Sequence, residues 1–310
     1  MPAVKAVNKK GQELSLVGSS IGELHQSLHV QTRLSKHRLT LKHEDAALAA
    51  KHPLDDMDAT LAQAKVSGRT RLVWKDLGPQ IGYRTVFYLE YLGPMLFVAF
   101  YALCPSVLWG SASQPAGAPL VDYSAVGRMD WVAQWGLWAW MAHFLKRELE
   151  TAFVHKFSRP TMPLSNLYKN CTYYWSFGAI IGWPLCSPHF VPPAADATVY
   201  AGAVLFALAE LGNLAIHLKL SGMRKAEGSK KRDVPTGFGF DLVACPNYTF
   251  EVLSWVGFSV MTGLPAAWAF TALGFYQMQE WAQKKHREYK KTYGKEYTSL
   301  DRNAIVPFLY

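Results

Sequence analysis

The chain has 310 residues, of which 50% are hydrophobic and 14% aromatic, and it carries a formal net charge of +9 at pH 7. The four cysteines lack CxxC or Cys/His spacing, and the basic residues are dispersed without a zinc-finger, RNP or helix-turn-helix pattern. The sequence therefore predicts neither a metal site nor a nucleic-acid partner. Of eleven tryptophans, only Trp74 precedes residue 109. This shift in composition predicts two domains, a polar one at residues 1–78 and an apolar one at residues 79–310.

Residues 1–78 have the pattern of a small soluble domain. Their polar start predicts no cleaved secretory signal. Alternation of apolar and polar residues predicts strands in GQELSLVG, HRLTLKH and GRTRLVWKDLG. Helical spacing behind a capping serine predicts a helix in SIGELHQSLHVQTRL. Strand, helix and further strands in about 75 residues indicate a β-grasp, ubiquitin-like domain.

The remainder of the chain contains segments suited to a bilayer, which takes about 20 residues of apolar helix. These segments are residues 86–110, 131–145, 171–192 and 197–218, and residues 238–279 are long enough for two crossings. The sequence therefore predicts a mainly α-helical, polytopic membrane bundle. Six transmembrane helices satisfy the pattern, and a seventh stays open.

The charges predict an orientation for these crossings. Basic residues collect within residues 146–169, 219–232 and 284–291, whereas loops 110–124 and 187–196 hold only acidic formal charges. Six crossings place every basic cluster on the cytosolic side, as the positive-inside rule requires. Both termini are then cytosolic.

Ionisable groups inside apolar spans indicate function, because each costs about 2.5–3.5 kcal/mol even on insertion scales. Glu90 lies a few residues into the first span. It is either an interfacial carboxylate bonded to a neighbouring helix or a carboxyl that faces an internal cavity. In a cavity it could share a proton with a substrate oxygen.

The segment HFLKRELE places His143, Lys146, Arg147 and Glu150 on one helical face. These groups are either snorkelling charges at a membrane exit or an anion site at the cytosolic mouth, where Lys and Arg would meet phosphates.

The span at residues 197–218 carries Glu210, Asn213 and His217 on one face. An interhelical hydrogen-bond network explains such a row, but three polar groups in register also fit the wall of a cavity. We favour the cavity.

The segment CPNYTFEVLSWVGF puts Asn247, Tyr248 and Glu251 at the head of an apolar helix, with Trp255 further along. Convergent polar groups at membrane depth are poorly explained by stability alone, so function is favoured here. Asn247 and Asn170 also match the glycosylation sequon. Their predicted positions in the membrane or on its cytosolic side make these chance matches.

Four blocks of the sequence resemble very-long-chain trans-2-enoyl-CoA reductases, which are endoplasmic-reticulum membrane enzymes of the steroid 5α-reductase superfamily. The blocks are HFLKRELETAFVHKFSRPTMPLSNLYKNCTYYW, LGNLAIHLKL, CPNYTFEVLSWVGF and KHREYKKTYGKEY with the terminal IVPFLY. The resemblance runs from about residue 75 to the C-terminus. Members of the family also carry an N-terminal ubiquitin-like domain.

This resemblance implies NADPH-dependent reduction of a long-chain or very-long-chain trans-2-enoyl-CoA to the saturated acyl-CoA, the last step of fatty-acid elongation. It implies catalytic roles for Tyr248 and Glu90, and basic residues for substrate, CoA or phosphate at Lys146 and Arg147. We expect Tyr248 to act as the acid, with Glu90 as its hydrogen-bonded partner. The residues implied to bind the cofactor are Asn213, His217, Arg224, Asn247, Glu251 and Tyr289.

The resemblance further implies residence in the endoplasmic-reticulum bilayer and contact with other fatty-acid elongase components. Several alternatives stay open at the level of sequence. A sister membrane reductase would act on a steroid or polyprenol enone, and a membrane isoprenylcysteine methyltransferase would bind S-adenosylmethionine. A carrier or a non-catalytic scaffold would need none of this chemistry.

Overall fold

Residues 3–110, 120–157, 159–223 and 233–307 are described by the structure, a computed structural model. The chain is mainly helical, with a small sheet near its N-terminus. It divides into two compact units, one formed by Met1–Tyr83 with Arg159–Asn166 and the other by Arg84–Ser158 with Leu167–Tyr310.

The first unit contains a four-stranded mixed sheet. Its strands are β1 (Ala3–Val7), β2 (Glu13–Val17), β3 (Leu39–His43) and β4 (Arg71–Asp76), in the order β2-β1-β4-β3. The central pair β1 and β4 is parallel, and each outer strand is antiparallel to its neighbour. The structure confirms the three predicted strands. It adds β1, whose five-residue apolar pattern is followed at once by the polar turn NKKGQ.

Helix α1 (Ile21–Thr32) follows β2 and was also predicted. Ser20 caps its first turn, because its side-chain oxygen accepts a hydrogen bond from the backbone nitrogen of Glu23. The Glu23 carboxylate in turn accepts from the backbone nitrogen of Ser19 at 2.7 Å. Leu24 and Leu28 on this helix are fully buried in a core with sheet residues. The shorter elements of this unit are α2 (Ala46–Lys51), a 3₁₀ turn at Lys36–Arg38, β5 (Gln80–Gly82) and β6 (Thr161–Pro163), and β5 pairs with β6.

The second unit is a helical bundle. Its long helices begin with α3 (Tyr83–Leu103), and the chain then forms two short helices, α4 (Pro105–Trp109) and α5 (Ala125–Arg128). The remaining long helices are α6 (Trp131–Leu149), α7 (Ser165–Leu185), α8 (Asp196–Gly222), α9 (Pro246–Thr262) and α10 (Pro265–Tyr293), followed by the short α11 (Lys295–Thr298).

Of the helices that the structure describes, α3 and α8 are long and apolar enough to cross a membrane by length and composition. The sequence had predicted six or seven crossings. The other long helices are less uniformly apolar, because α6 is rich in tryptophan and ends in charged residues, and α7 is rich in aromatic and small polar residues. Helix α9 is short, and the second half of α10 is charged.

Helices α8 and α9 pack with their backbones in close contact at two glycines. A Cβ atom built on Gly202 would lie 2.7 Å from the carbonyl oxygen of Gly257 and 2.8 Å from the Cα of Met261. A Cβ on Gly257 would lie 2.5 Å from the backbone nitrogen of Phe206. Small residues of this kind allow neighbouring helices to approach closely. The contact brings the polar row of α8 against the first turns of α9.

Helix α6 ends in a π-helical turn, Glu150–Val154. A π turn inserts one extra residue and is common at functional sites. Thr151 closes the turn by donating its hydroxyl to the carbonyl oxygen of Arg147 at 2.8 Å. The turn points Glu150 and the following His155 towards the same ring, that of His217 on α8.

Candidate active site

A cavity of about 580 Å³ lies within the second unit. Its walls come from five of the long helices, from Arg147 near the end of α6 and from the segment that follows the π turn. The carboxylate, cationic and amide side chains in the lining are Glu90, Arg147, Lys156, Lys169, Asn170, Asn213, Asn247, Glu251 and Gln277. The volume is in the range of small-molecule sites, about 300–1,000 Å³.

Glu90 is buried in the wall of this cavity, with 3% of its surface exposed. Its Oε2 accepts a hydrogen bond from Asn170 Nδ2 on α7 at 2.7 Å. The expected bond between Glu90 and Tyr248 is not among the hydrogen bonds of the described residues, although both side chains line the cavity. The amide of Asn170 therefore holds the Glu90 carboxyl group. Glu90 and Tyr248 can both contact one ligand, since both line the cavity.

Arg147 joins α6 to α3 and α8 at the edge of the cavity. Its Nη2 donates to the hydroxyl of Tyr91 at 3.1 Å, and its guanidinium lies over the Tyr91 ring. Its Nη1 contacts Glu150 and lies 3.1 Å from Nδ1 of His217. The same nitrogen of His217 is 3.0 Å from Glu150 Oε2. These contacts fix the guanidinium, which faces the cavity as a charged hydrogen-bond donor.

Behind the cavity, five side chains form a ring of ion pairs and hydrogen bonds. Lys146 Nζ contacts Glu210 Oε2 at 2.6 Å and Asn213 Oδ1 at 2.8 Å. The buried ring of His143 lies between Glu210, at 2.7 Å, and Glu251, at 3.4 Å. Asn213 Nδ2 closes the ring by donating to Glu251 Oε2 at 3.0 Å. Two members, Asn213 and Glu251, reach the cavity wall.

The start of α9 is held by the end of the chain. The backbone nitrogen of Cys245 donates to the carbonyl oxygen of Ala304 at 3.1 Å. The hydroxyl of Thr249 donates to the carbonyl oxygen of Ile305 at 2.6 Å. Tyr248 lies between these two anchors and faces the cavity. The C-terminal segment therefore positions the first turn of α9.

Glu150, His155 and His217 bring their ligand-type atoms within 4.8 Å of one another, a grouping that resembles a metal site. Burial, with a further contribution from the Arg147 charge, lowers the pKa of His155 to about 3, so its imidazole is neutral at pH 7. Arg147 already contacts Glu150 and His217. This positive charge favours an ion-pair network over a metal centre.

Comparison with known proteins places this chain in a family. The protein-family model described as 3-oxo-5-alpha-steroid 4-dehydrogenase matches residues 160–310. The chain is 39% identical over 291 residues to the Caenorhabditis elegans protein named "Probable very-long-chain enoyl-CoA reductase art-1", covering 90% of each. It is 34% identical over 293 residues to the Dictyostelium discoideum "Very-long-chain enoyl-CoA reductase", covering 94% of this chain and 92% of the relative. A Trypanosoma brucei brucei protein that also carries the name of an enoyl-CoA reductase is 46% identical over 254 residues, which are 82% of this chain and 80% of the relative.

The chain belongs to the enoyl-CoA reductase family. In this reductase, most of the residues singled out from sequence meet at the cavity. The predicted residues that line it are Glu90, Arg147, Asn213, His217, Asn247, Tyr248 and Glu251.

Two further predicted residues of the reductase lie elsewhere. Lys146 belongs to the ring behind the cavity, and Tyr289 packs against Tyr293 and Tyr297 in a C-terminal aromatic cluster. In the part of the chain that the structure describes, neither contributes to the cavity lining. Arg224 lies outside the described residues.

Sequence reasoning missed the contribution of α7. Lys169, Asn170, Tyr173 and Tyr174 all line the cavity. Their spacing of i, i+1, i+4 and i+5 is that of one helical face, and this signal was available in KNCTYYW. Asn170 had been treated only as a chance glycosylation sequon.

Proposed function

We propose that this protein reduces long-chain and very-long-chain trans-2-enoyl-CoA to the saturated acyl-CoA with NADPH, the last step of the fatty-acid elongation cycle. The observation that carries the proposal is the convergence of Glu90, Tyr248, Arg147, Asn247 and Glu251 on one cavity. The names of the relatives support the substrate class.

The lining fits a phosphorylated dinucleotide. Arg147, Lys156 and Lys169 supply cationic donors for phosphate groups, and Asn247 and Glu251 supply hydrogen-bonding partners for the polar groups of a nicotinamide. When bound, NADPH supplies the hydride that the β-carbon of the enoyl group receives.

Conjugate reduction develops negative charge on the thioester oxygen of the substrate. Tyr248 donates its hydroxyl hydrogen bond to that oxygen and stabilises the enolate. A phenol has an ordinary pKa of about 10 and so keeps its proton at neutral pH. The α-carbon then receives one proton, for which Tyr248 is the donor, and the phenolate regains a proton from water. Glu90, held by Asn170, lines the same cavity and orients the thioester.

We propose that the six long helices cross the endoplasmic-reticulum membrane with both termini in the cytosol. The placement of basic residues between the helices supports this orientation. Residues 79–310 then form the catalytic domain, and residues 1–78 form a ubiquitin-like domain that contacts other elongase components. The order of the mixed sheet and the helix α1 that follows β2 support the ubiquitin-like fold of residues 1–78.

The test is NADPH oxidation by the purified, detergent-solubilised protein supplied with a long-chain trans-2-enoyl-CoA. We expect turnover by the wild type and a loss of about a hundredfold or more in Tyr248→Phe. Turnover by both proteins would remove Tyr248 from the chemistry. A steroid enone reduced in place of any enoyl-CoA would favour the activity for which the matching family model is named.

A further inference from the structure

The cavity opens on the side of α10. Leu273, Tyr276 and Trp281 line the cavity, yet they are exposed by 52%, 66% and 48%. A side chain that both lines a cavity and exposes half its surface marks an opening. Residues 265–279 contain no Asp, Glu, Lys or Arg, and the first charge on this helix is Glu280. The part of the opening formed by Leu273 and Tyr276 therefore lies in the apolar half of α10.

Helix α7 forms the other side of this opening. The hydroxyl of Tyr173 donates to the carbonyl oxygen of Phe270 at 3.3 Å, and the two rings stack with centroids 5.4 Å apart. This contact joins the two helices. Lys169 on α7 and Gln277 on α10 also line the cavity, so both helices border it beyond this contact.

Gly274 lines the cavity one helical turn after Phe270, beside the Tyr173 hydroxyl. A Cβ atom on Gly274 would lie 3.5 Å from the Tyr173 hydroxyl and 3.6 Å from Met278 Cε, which are ordinary van der Waals contacts. The glycine therefore relieves no clash in the protein itself. Its missing side chain instead leaves room between α7 and α10.

The cavity volume requires part of the substrate to lie outside. About 580 Å³ is a space for one small molecule, since sites for drug-sized ligands measure about 300–1,000 Å³. A dinucleotide and a very long acyl chain do not fit there together. The cationic groups Lys156 and Lys169 suit the phosphates at one side of the cavity, and the apolar half of α10 suits the hydrocarbon chain.

We propose that the acyl chain leaves the cavity between α7 and α10 and enters the bilayer past Gly274, which thereby determines the range of chain lengths that react. This inference rests on the proposed enoyl-CoA reduction and names a specificity-determining residue for it. An enoyl chain short enough to remain inside the cavity does not pass Gly274.

The test compares two substrates, trans-2-hexenoyl-CoA and trans-2-octadecenoyl-CoA, in the full-length solubilised protein. In Gly274→Leu, we expect kcat/KM for the long substrate to fall by about tenfold or more relative to the short one. Gly274→Ala should give a smaller shift in the same direction. Gly127→Leu is the control, because a Cβ there would contact nothing within 4 Å and Gly127 does not line the cavity.

The substrate ratio separates the possible outcomes. If the ratio of kcat/KM for the long and short substrates is unchanged in both Gly274 variants, or if both substrates lose activity equally, the proposed exit of the acyl chain past Gly274 is wrong. Turnover of the short substrate shows that each variant is folded. Failure of the wild type on both substrates would instead overturn the proposed function itself.

Discussion

At the scale of single residues, Lys146 lies on the polar helix face that the sequence predicted, but its contacts differ from the predicted phosphate binding. The spacing in HFLKRELE indicated a functional face and suggested phosphate binding. In the structure, Lys146 Nζ lies between Glu210 and Asn213, behind the cavity wall. It therefore neutralises a buried carboxylate and orients the amide that holds Glu251. Sequence spacing identifies a face of a helix, but the partner of that face comes from another part of the chain.

Lys146→Met should destabilise the protein by about 3 kcal/mol, because it removes the lysine charge that lies 2.6 Å from the largely buried Glu210 carboxylate. Glu210→Gln in the same chain should recover most of that loss, since the uncompensated charge is then gone. Thermal unfolding of the solubilised variants measures both effects.

The control for this pair is Lys285→Met, which breaks the exposed pair of Lys285 with Glu288. It should cost less than about 1 kcal/mol. A higher KM for NADPH or enoyl-CoA in Lys146→Met, with an unchanged unfolding temperature, would instead support the predicted role of Lys146 in phosphate binding.

Asn170 is the second residue whose role the structure defines. Asn170→Ala removes the donor to Glu90 and should lower kcat by about tenfold, because the buried carboxyl group is then free to rotate away from the substrate. Steady-state kinetics with one long-chain enoyl-CoA measures the effect. Asn170→Asp would replace the donor with a second acid and should lower kcat further than Asn170→Ala does. Equal kcat values for the wild type and both variants would contradict a positioning role for Asn170.

At the scale of elements, the polar row of α8 meets the head of α9 because two glycines let the helices touch. The long apolar helices and their polar faces could be predicted from periodicity. The close approach at Gly202 and Gly257 could not, because a glycine in an apolar helix has the same local pattern whether or not a backbone lies against it. The π turn at Glu150–Val154 likewise has no periodic signature, and the directions of Glu150 and His155 depend on it.

Gly202→Ala should destabilise the protein by about 2 kcal/mol or more, because its methyl group would overlap the backbone of α9. The matched control on the same helix is Gly222→Ala, where a Cβ would contact nothing within 4 Å. That control should be neutral or slightly stabilising, since alanine is the better helix former. Equal melting temperatures for the two variants would show that α8 and α9 do not pack through Gly202.

At the scale of the whole molecule, the chain combines a small mixed sheet with a helical bundle that holds the cavity. The sequence predicted α1 and three of the four main strands, because alternation and a capping serine are local signals. The sheet order was not available from it, since β1 pairs in parallel with β4 from far along the chain. The assembly of the cavity from several helices had the same limit: the polar face of α7 could be read from its spacing, but its place in the cavity wall could not.

The first unit should lose stability as the pH falls below about 6.5. Burial lowers the pKa of His25 below its usual value, so the unfolded chain takes up a proton on acidification before the folded unit does. The contribution of His25 to the stability of this unit is then fully present at pH values above the usual histidine pKa, and it declines as the pH falls below that pKa. Hydrogen exchange of β1 and β4 amides in the full-length protein at pH 7 and 5.5, corrected for intrinsic rates, measures this decline.

His25→Leu should flatten the dependence between those two pH values. The carboxylates with lowered pKa values in this unit, Glu13, Glu23 and Asp76, titrate at lower pH and do not interfere. A decline of the same size in His25→Leu would assign it to another group.

The central claim is that the cavity transfers a hydride to the β-carbon of a long-chain enoyl-CoA. Its most direct test is mass spectrometry of the product formed by the wild-type protein from trans-2-octadecenoyl-CoA and NADPH carrying deuterium at the transferable position. We predict saturated octadecanoyl-CoA with one deuterium at the β-carbon, and a hydrogen from solvent at the α-carbon. Deuterium at the α-carbon, or unreduced enoyl-CoA with a protein that is folded and binds NADPH, would contradict the claim.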